Sequence, residues 1–133
     1  MYLRLLSLKQ REAYLSLAQM LLHIDGAMHA DEAALLESSR LESGIDKLPP
    51  PCTQEELPAV AKSFDSHPEK MLVLLEACGA VAADGQVTVT ERGEIARLAE
   101  ALALPFIQVE RCFQYVDSAR KLQQEGLALI GGR

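Results

Sequence analysis

Asp25-Gly26-Ala27-Met28-His29-Ala30-Asp31-Glu32 and Asp84-Gly85-Gln86-Val87-Thr88-Val89-Thr90-Glu91 read as one motif written twice. Both copies fit Asp-Gly-x-apolar-x-x-x-Glu. An apolar, small-residue-rich stretch precedes each, Leu15 to Ile24 in the first and Leu74 to Ala83 in the second. Internal repetition is the signature of a fold assembled from like units, so it constrains the whole architecture. It also places two acidic loops in equivalent positions.

Outward from the loops, apolar residues recur at three- and four-residue spacing, the mark of amphipathic helices. Ser7-x-x-Gln10 can box the start of a helix running to about Ile24. A second helix is expected from about Ala30 to Ser43, ending on Gly44. Three consecutive prolines, Pro49 to Pro51, then break the chain. Thr53-x-x-Glu56 opens a short helix to about Phe64. Ser66-His67-Pro68 opens the next, which runs to about Ala83 and is apolar nearly all round, as befits a central helix. Gly79 inside it costs about 1 kcal/mol relative to Ala, and close approach of a neighbouring helix would account for it. A fifth helix covers about Val89 to Ala103 and a sixth about Phe106 to Glu125, with a frayed tail through Gly131-Gly132. The reading is an all-α, compact bundle of about six helices. It is built from two pseudo-symmetric helix-loop-helix repeats, about 8–45 and about 68–104, joined by a linker of about 46–53. The leading helix of one repeat can then pack against its counterpart around an approximate twofold.

The bulk numbers exclude several classes. With 133 residues, 49% of them apolar, the chain can bury a real core and is not a disordered one. A net charge of −6 argues against a nucleic-acid binder, and Arg4, Lys9, Arg11, Arg120 and Lys121 form no basic stripe. No apolar run approaches the roughly 18 residues of a membrane span. No signal peptide is visible, so a cytoplasmic location is the expectation. Cys52, Cys78 and Cys112 have no paired spacing, which argues against a disulfide framework or a zinc site, and Cys78 reads as core. No nucleophile, cofactor loop or complete metal triad accompanies the carboxylates, so the chain does not read as an enzyme.

Each part of the repeated loop has a structural reading. The Gly supplies a left-handed conformation that ends the incoming helix. Met28 and Val87 turn back to the core. Thr88-x-x-Glu91 is a capping box; His29 holds the matching slot as a poor cap, which Asp31 could replace. The aspartates fit less well. Placed in the last turn of their helices, Asp25 and Asp84 face free carbonyls at a cost of about 0.3–1 kcal/mol. Either each reaches across the turn to the free N–H groups of the next helix, or a cation is shared by Asp25 with Glu32 and by Asp84 with Glu91. Hard cations want several oxygens, and each loop alone offers few. Brought together by the twofold, Asp25, Glu32, Asp84 and Glu91 would make one four-carboxylate site for a divalent cation such as Ca²⁺, Mg²⁺, Mn²⁺ or Zn²⁺. His23 stands beside the first loop as a further ligand or a plain helix-end residue; His67 reads as a turn residue.

The doubled Asp-Gly loop, each after a small-residue-rich helix and followed by a Glu at the next helix start, resembles the tellurite-resistance TerB-like family. The resemblance covers Leu8 to Ile45 and Pro68 to Leu104, and would make residues 1–133 a single TerB-like domain. It implies an all-helical fold with internal pseudo-symmetry, no catalytic activity, and a role in metal binding or stress response. It maps the family's acidic positions onto Asp25, Glu32, Asp84 and Glu91. Related domains occur beside J-domain co-chaperones, which implies an interaction module. His29 departs from the family's usual Ser/Thr. The competing reading is a protein-interaction module, with an unidentified protein or a second copy as partner, in which the loops are only structural. Phe106, Phe113, Tyr115 and Val116 of the last helix would then either present the contact surface or cover the core.

Overall fold

Reciprocal caps define the helix starts. The Ser7 hydroxyl accepts from the Gln10 N–H (3.2 Å) while the Gln10 side chain accepts from the Ser7 N–H (2.9 Å), opening α1 (Leu8–Leu22). Ser66 with Glu69 opens α4 (His67–Val81) in the same way, and Thr88 with Glu91 opens α5 (Val89–Ala101). Each box satisfies two N–H groups that a helix start leaves unpaired. The computed structural model describes residues 1–24, 26 and 28–131.

His29 caps α2 (Ala30–Ser43) after all. Its Nδ1 accepts from the Asp31 N–H at 3.1 Å, and the Glu32 carboxylate accepts from the His29 N–H at 3.0 Å. An unprotonated ring nitrogen is an acceptor, so it fills the role of a hydroxyl here and Asp31 is not needed. α2 ends on Gly44 at φ 70°, as the sequence predicts.

Several boundaries differ from expectation. The Thr53–Glu56 box forms, but α3 spans only Leu57–Ala61. Pro58 has no N–H to give the Gln54 carbonyl, so the helical ladder cannot start from the box. α5 stops at Ala101 because Ala103 adopts a left-handed φ of 57° and the Leu104 N–H turns back to the Ala99 carbonyl at 2.8 Å. α6 (Phe106–Gly131) outruns its expected end at Glu125, and Gly131 is still helical. Leu127, Ala128 and Leu129 are strong helix formers that outweigh the single Gly126. A 3-10 turn at Leu3–Leu5, missed in the sequence, buries Leu3 completely.

α4 is the central helix and packs against α1, α2, α5 and α6. Val73, Leu74, Ala77, Cys78 and Val81 are sealed from solvent against Leu15, Leu17 and Leu21 of α1 and Ile95 and Leu98 of α5. The contacts are reciprocal: α1 meets α4, α1 meets α5, and α2 meets α4. This is the pattern expected when two like repeats face each other. The proline linker lies along α1, where the Ser16 hydroxyl donates to the Pro50 carbonyl at 2.6 Å and the Gln19 amide to that of Pro49. Gly79 contradicts its expected reason. A Cβ there would meet nothing within 4 Å, so no helix presses on it; the residue lies on the floor of a groove instead.

Candidate functional site

The two loops end their turns as the glycines require, with Gly26 at φ 96° and Gly85 at φ 87°. Asp84 is not in the last turn of α4, as the sequence suggested, but three residues past its end. The Gly85 N–H closes a turn on the Ala82 carbonyl at 2.9 Å, so the helix stops a turn sooner. The Asp84 carboxylate accepts from the Gln86 N–H at 2.9 Å, inside the loop. It does not reach the N–H groups of α5, because a side chain this short bonds most readily to the backbone two residues on. Asp25, its counterpart, lies outside the described residues.

The glutamates are the centre of the site. Glu32 is 5% exposed and Glu91 is 6% exposed. The Glu32 carboxylate accepts from the His29 N–H and that of Glu91 from the Thr88 N–H, both at 3.0 Å. The packing of the repeats brings the two capping boxes together, so that the Glu91 carboxyl lies close enough to Glu32 to act on it. Burial, opposed by the His29 N–H, raises the Glu32 pKa above the usual carboxylate range; the charges of Glu91 and Asp84 add to the rise. Glu91 and Asp84 thus both act on Glu32. Among the described residues, however, no three His, Cys, Asp or Glu side chains are arranged to hold a metal ion.

A raised carboxyl pKa has a sign in stability. Glu32 binds its proton more tightly folded than unfolded, so its contribution is full below the unfolded pKa and lost as pH rises through the folded one. The melting temperature of metal-free protein should therefore fall as pH climbs from the ordinary glutamate range towards neutrality. Glu32→Gln, which stays neutral, should flatten that slope. Equal slopes for the two proteins in a pH series of thermal melts would refute it.

His23 caps its own helix. Its Nδ1 lies 2.7 Å from the Gln19 carbonyl, a contact that needs an N–H on that nitrogen. His67 is the first residue of α4. Cys52, Cys78 and Cys112 are free and buried. Cys78 and Cys112 nevertheless meet across α4 and α6, and the Cys78 thiol holds its proton above the usual range because it hydrogen-bonds Cys112 and is buried. Their wide separation in sequence hid that contact. Arg120 of α6 was also missed. Its guanidinium donates to the Gly85 carbonyl at 3.3 Å, and a Cβ on Gly85 would come within 2.3 Å of it. Nothing in the local pattern links α6 to that loop. Of the α6 aromatics, Phe113 packs on the core under Arg92, whose guanidinium sits 4.7 Å from the ring centre. Phe106 and Tyr115 are exposed, and the Tyr115 hydroxyl bonds that of Tyr2 at 2.8 Å.

Fold and site together define a class: a compact all-helical bundle, among the described residues, with two buried glutamates at the starts of α2 and α5. The chain matches no family model, no curated protein and no solved structure. No helix among the described residues is long and apolar enough to cross a membrane.

Proposed function

We infer that the protein is a non-enzymatic helical module whose paired loops take up a divalent cation. The observation that carries this reading is the meeting of Glu32 and Glu91, two buried carboxyls supplied by equivalent positions of the two repeats. Deprotonated, the pair is a concentrated negative charge that a proton or a cation can neutralise. Asp84 adds charge at the same place, and Asp25 is its counterpart in the sequence. Ca²⁺, Mg²⁺, Mn²⁺ and Zn²⁺ are the candidates, the first three favouring oxygen ligands. A link to stress or tellurite resistance follows from the TerB-like resemblance and extends the same reading.

The test is a thermal-melt screen of chelator-treated protein against each cation at neutral pH. A ligand that prefers the native state stabilises it by mass action, by about 2.7 kcal/mol at a hundredfold excess over its dissociation constant. One cation should raise the melting temperature, and Glu91→Gln and Asp84→Asn should abolish that rise. No shift with any cation sinks the proposal.

A second reading is favoured by the hydrogen bonds themselves. Glu32, Glu91 and Asp84 each already serve a backbone N–H of their own loop. The loops would then be structural, and the protein an interaction module. Loss of melting temperature in Glu91→Gln with no cation effect in the parent protein is its signature.

A further inference from the structure

The face that α6 turns to the core continues past the point where the core ends. Val109 and Cys112 are buried, and Phe113 and Val116 pack against the core. At helical spacing the same face runs on through Ala119, Gln123, Leu127 and Ile130. There Leu127 is 62% exposed and Ile130 86% exposed, with Leu122 and Leu129 bare on the flank. The same stretch of α6 forms one wall of a groove of about 870 Å³; Ala34 and Leu35 of α2 form the opposite wall, and Gly79 of α4 lies on the floor. The chain therefore carries a bare apolar helix end and an unfilled, partly apolar groove. The one cannot fill the other within a molecule, because the straight helix is itself the groove wall.

We propose that a second copy of this chain fills the groove. The last turns of α6 from the two copies pack antiparallel about a twofold axis at Gln123, each lying in the other's groove between α2 and α6. The axis sets Val116 against Ile130 of the second copy, Ala119 against its Leu127, and Gln123 against itself. Apolar residues thus meet apolar ones, and the central pair of amides can bond across the axis. A lone polar residue at such a position specifies register. Lys121 and Glu125 fall on the far side of the helix, while Asp31, Glu76 and Arg120 line the groove and flank the seam. A parallel pairing would drive the two bodies into the same space.

The size suits a weak dimer. Residues 117–131 form a rod roughly 22 Å long and 10 Å across, and seating half its sides covers roughly 350 Å². Each copy gives both a tail and a groove, but the covered face of α6 is also one wall of its own groove, so each copy hides that face together with the α2 wall and the α4 floor, an area at the low end where transient complexes sit. The two-fold contact is self-complementary and closes on itself.

Sedimentation equilibrium of the full chain across the micromolar range tests it. The parent protein should be dimeric. Leu127→Glu and Ile130→Glu should each weaken association at least tenfold with helix content unchanged, since both side chains are solvent-exposed in the single chain. Gln123→Cys should cross-link two copies under mild oxidation, and Ser118→Cys, on the opposite side of the helix, should not. A parent protein that stays monomeric overturns the proposal. So does a dimer indifferent to both glutamates, or one that cross-links through Ser118→Cys in preference to Gln123→Cys.

Discussion

Leu74→Ala should destabilise the protein by about 2–5 kcal/mol, the range for a large-to-small change in a packed core. Leu74 has no exposed surface and sits midway along α4, the helix that touches both repeats. Cutting its isobutyl side chain back to a methyl leaves a void in the core around α4 that rigid helices cannot collapse to fill. The control is Leu41→Ala on α2, 64% exposed, which should change stability by about 0.5 kcal/mol or less. Urea titrations of both variants give the comparison. A Leu74→Ala loss no larger than the control's would mean that α4 is not the keystone of the fold.

Arg11→Met should cost about 2–3 kcal/mol, although Arg11 is only half-buried. Its guanidinium donates to the carbonyls of Leu6 at 3.0 Å, Ser43 at 3.2 Å, and Leu3 and Arg4 at 3.3 Å. It thereby ties the first residues to the end of α2; the Leu3 carbonyl also accepts from the Leu6 N–H at 3.0 Å. Hydrogen bonds to a charged group contribute about 1.5–3 kcal/mol each, and a shared donor does not add fully. Arg11→Lys should rescue little, because an ammonium lacks the planar fork that reaches several carbonyls at once. Full rescue by lysine in the same urea assay would show that charge alone matters there.

Much of this was legible in the chain. Ser7, Ser66 and Thr88 announce three helices through local capping chemistry, and Gly44 ends a fourth element, because these signals act within a few residues. The apolar girth of α4 announces its central place. The sequence does not show that His29 caps, because that depends on which ring nitrogen is unprotonated and residue type does not state it. α3 is shorter than its sound capping box implies, because Pro58 interrupts the ladder. Gly79 faces open space, which its place inside an apolar helix does not reveal.

The candidate site divides along the same line. The equivalence of Glu32 with Glu91 is written in the repeat, and so is the bond of Glu91 to its own helix start; the matching bond of Glu32 to the His29 N–H is not. Their burial close to each other is not, nor is the rise in the Glu32 pKa that follows. Sequence alone determined the six α-helices, the caps at Ser7, Ser66 and Thr88 and the repeated motif, because those depend on contacts a few residues apart. Only the tertiary structure decided that two glutamates far apart in the chain face each other, that Arg120 closes over Gly85, and that α6 overhangs its own body. Each of these depends on how rigid helices pack, and packing brings together residues whose spacing in the chain carries no record of the meeting.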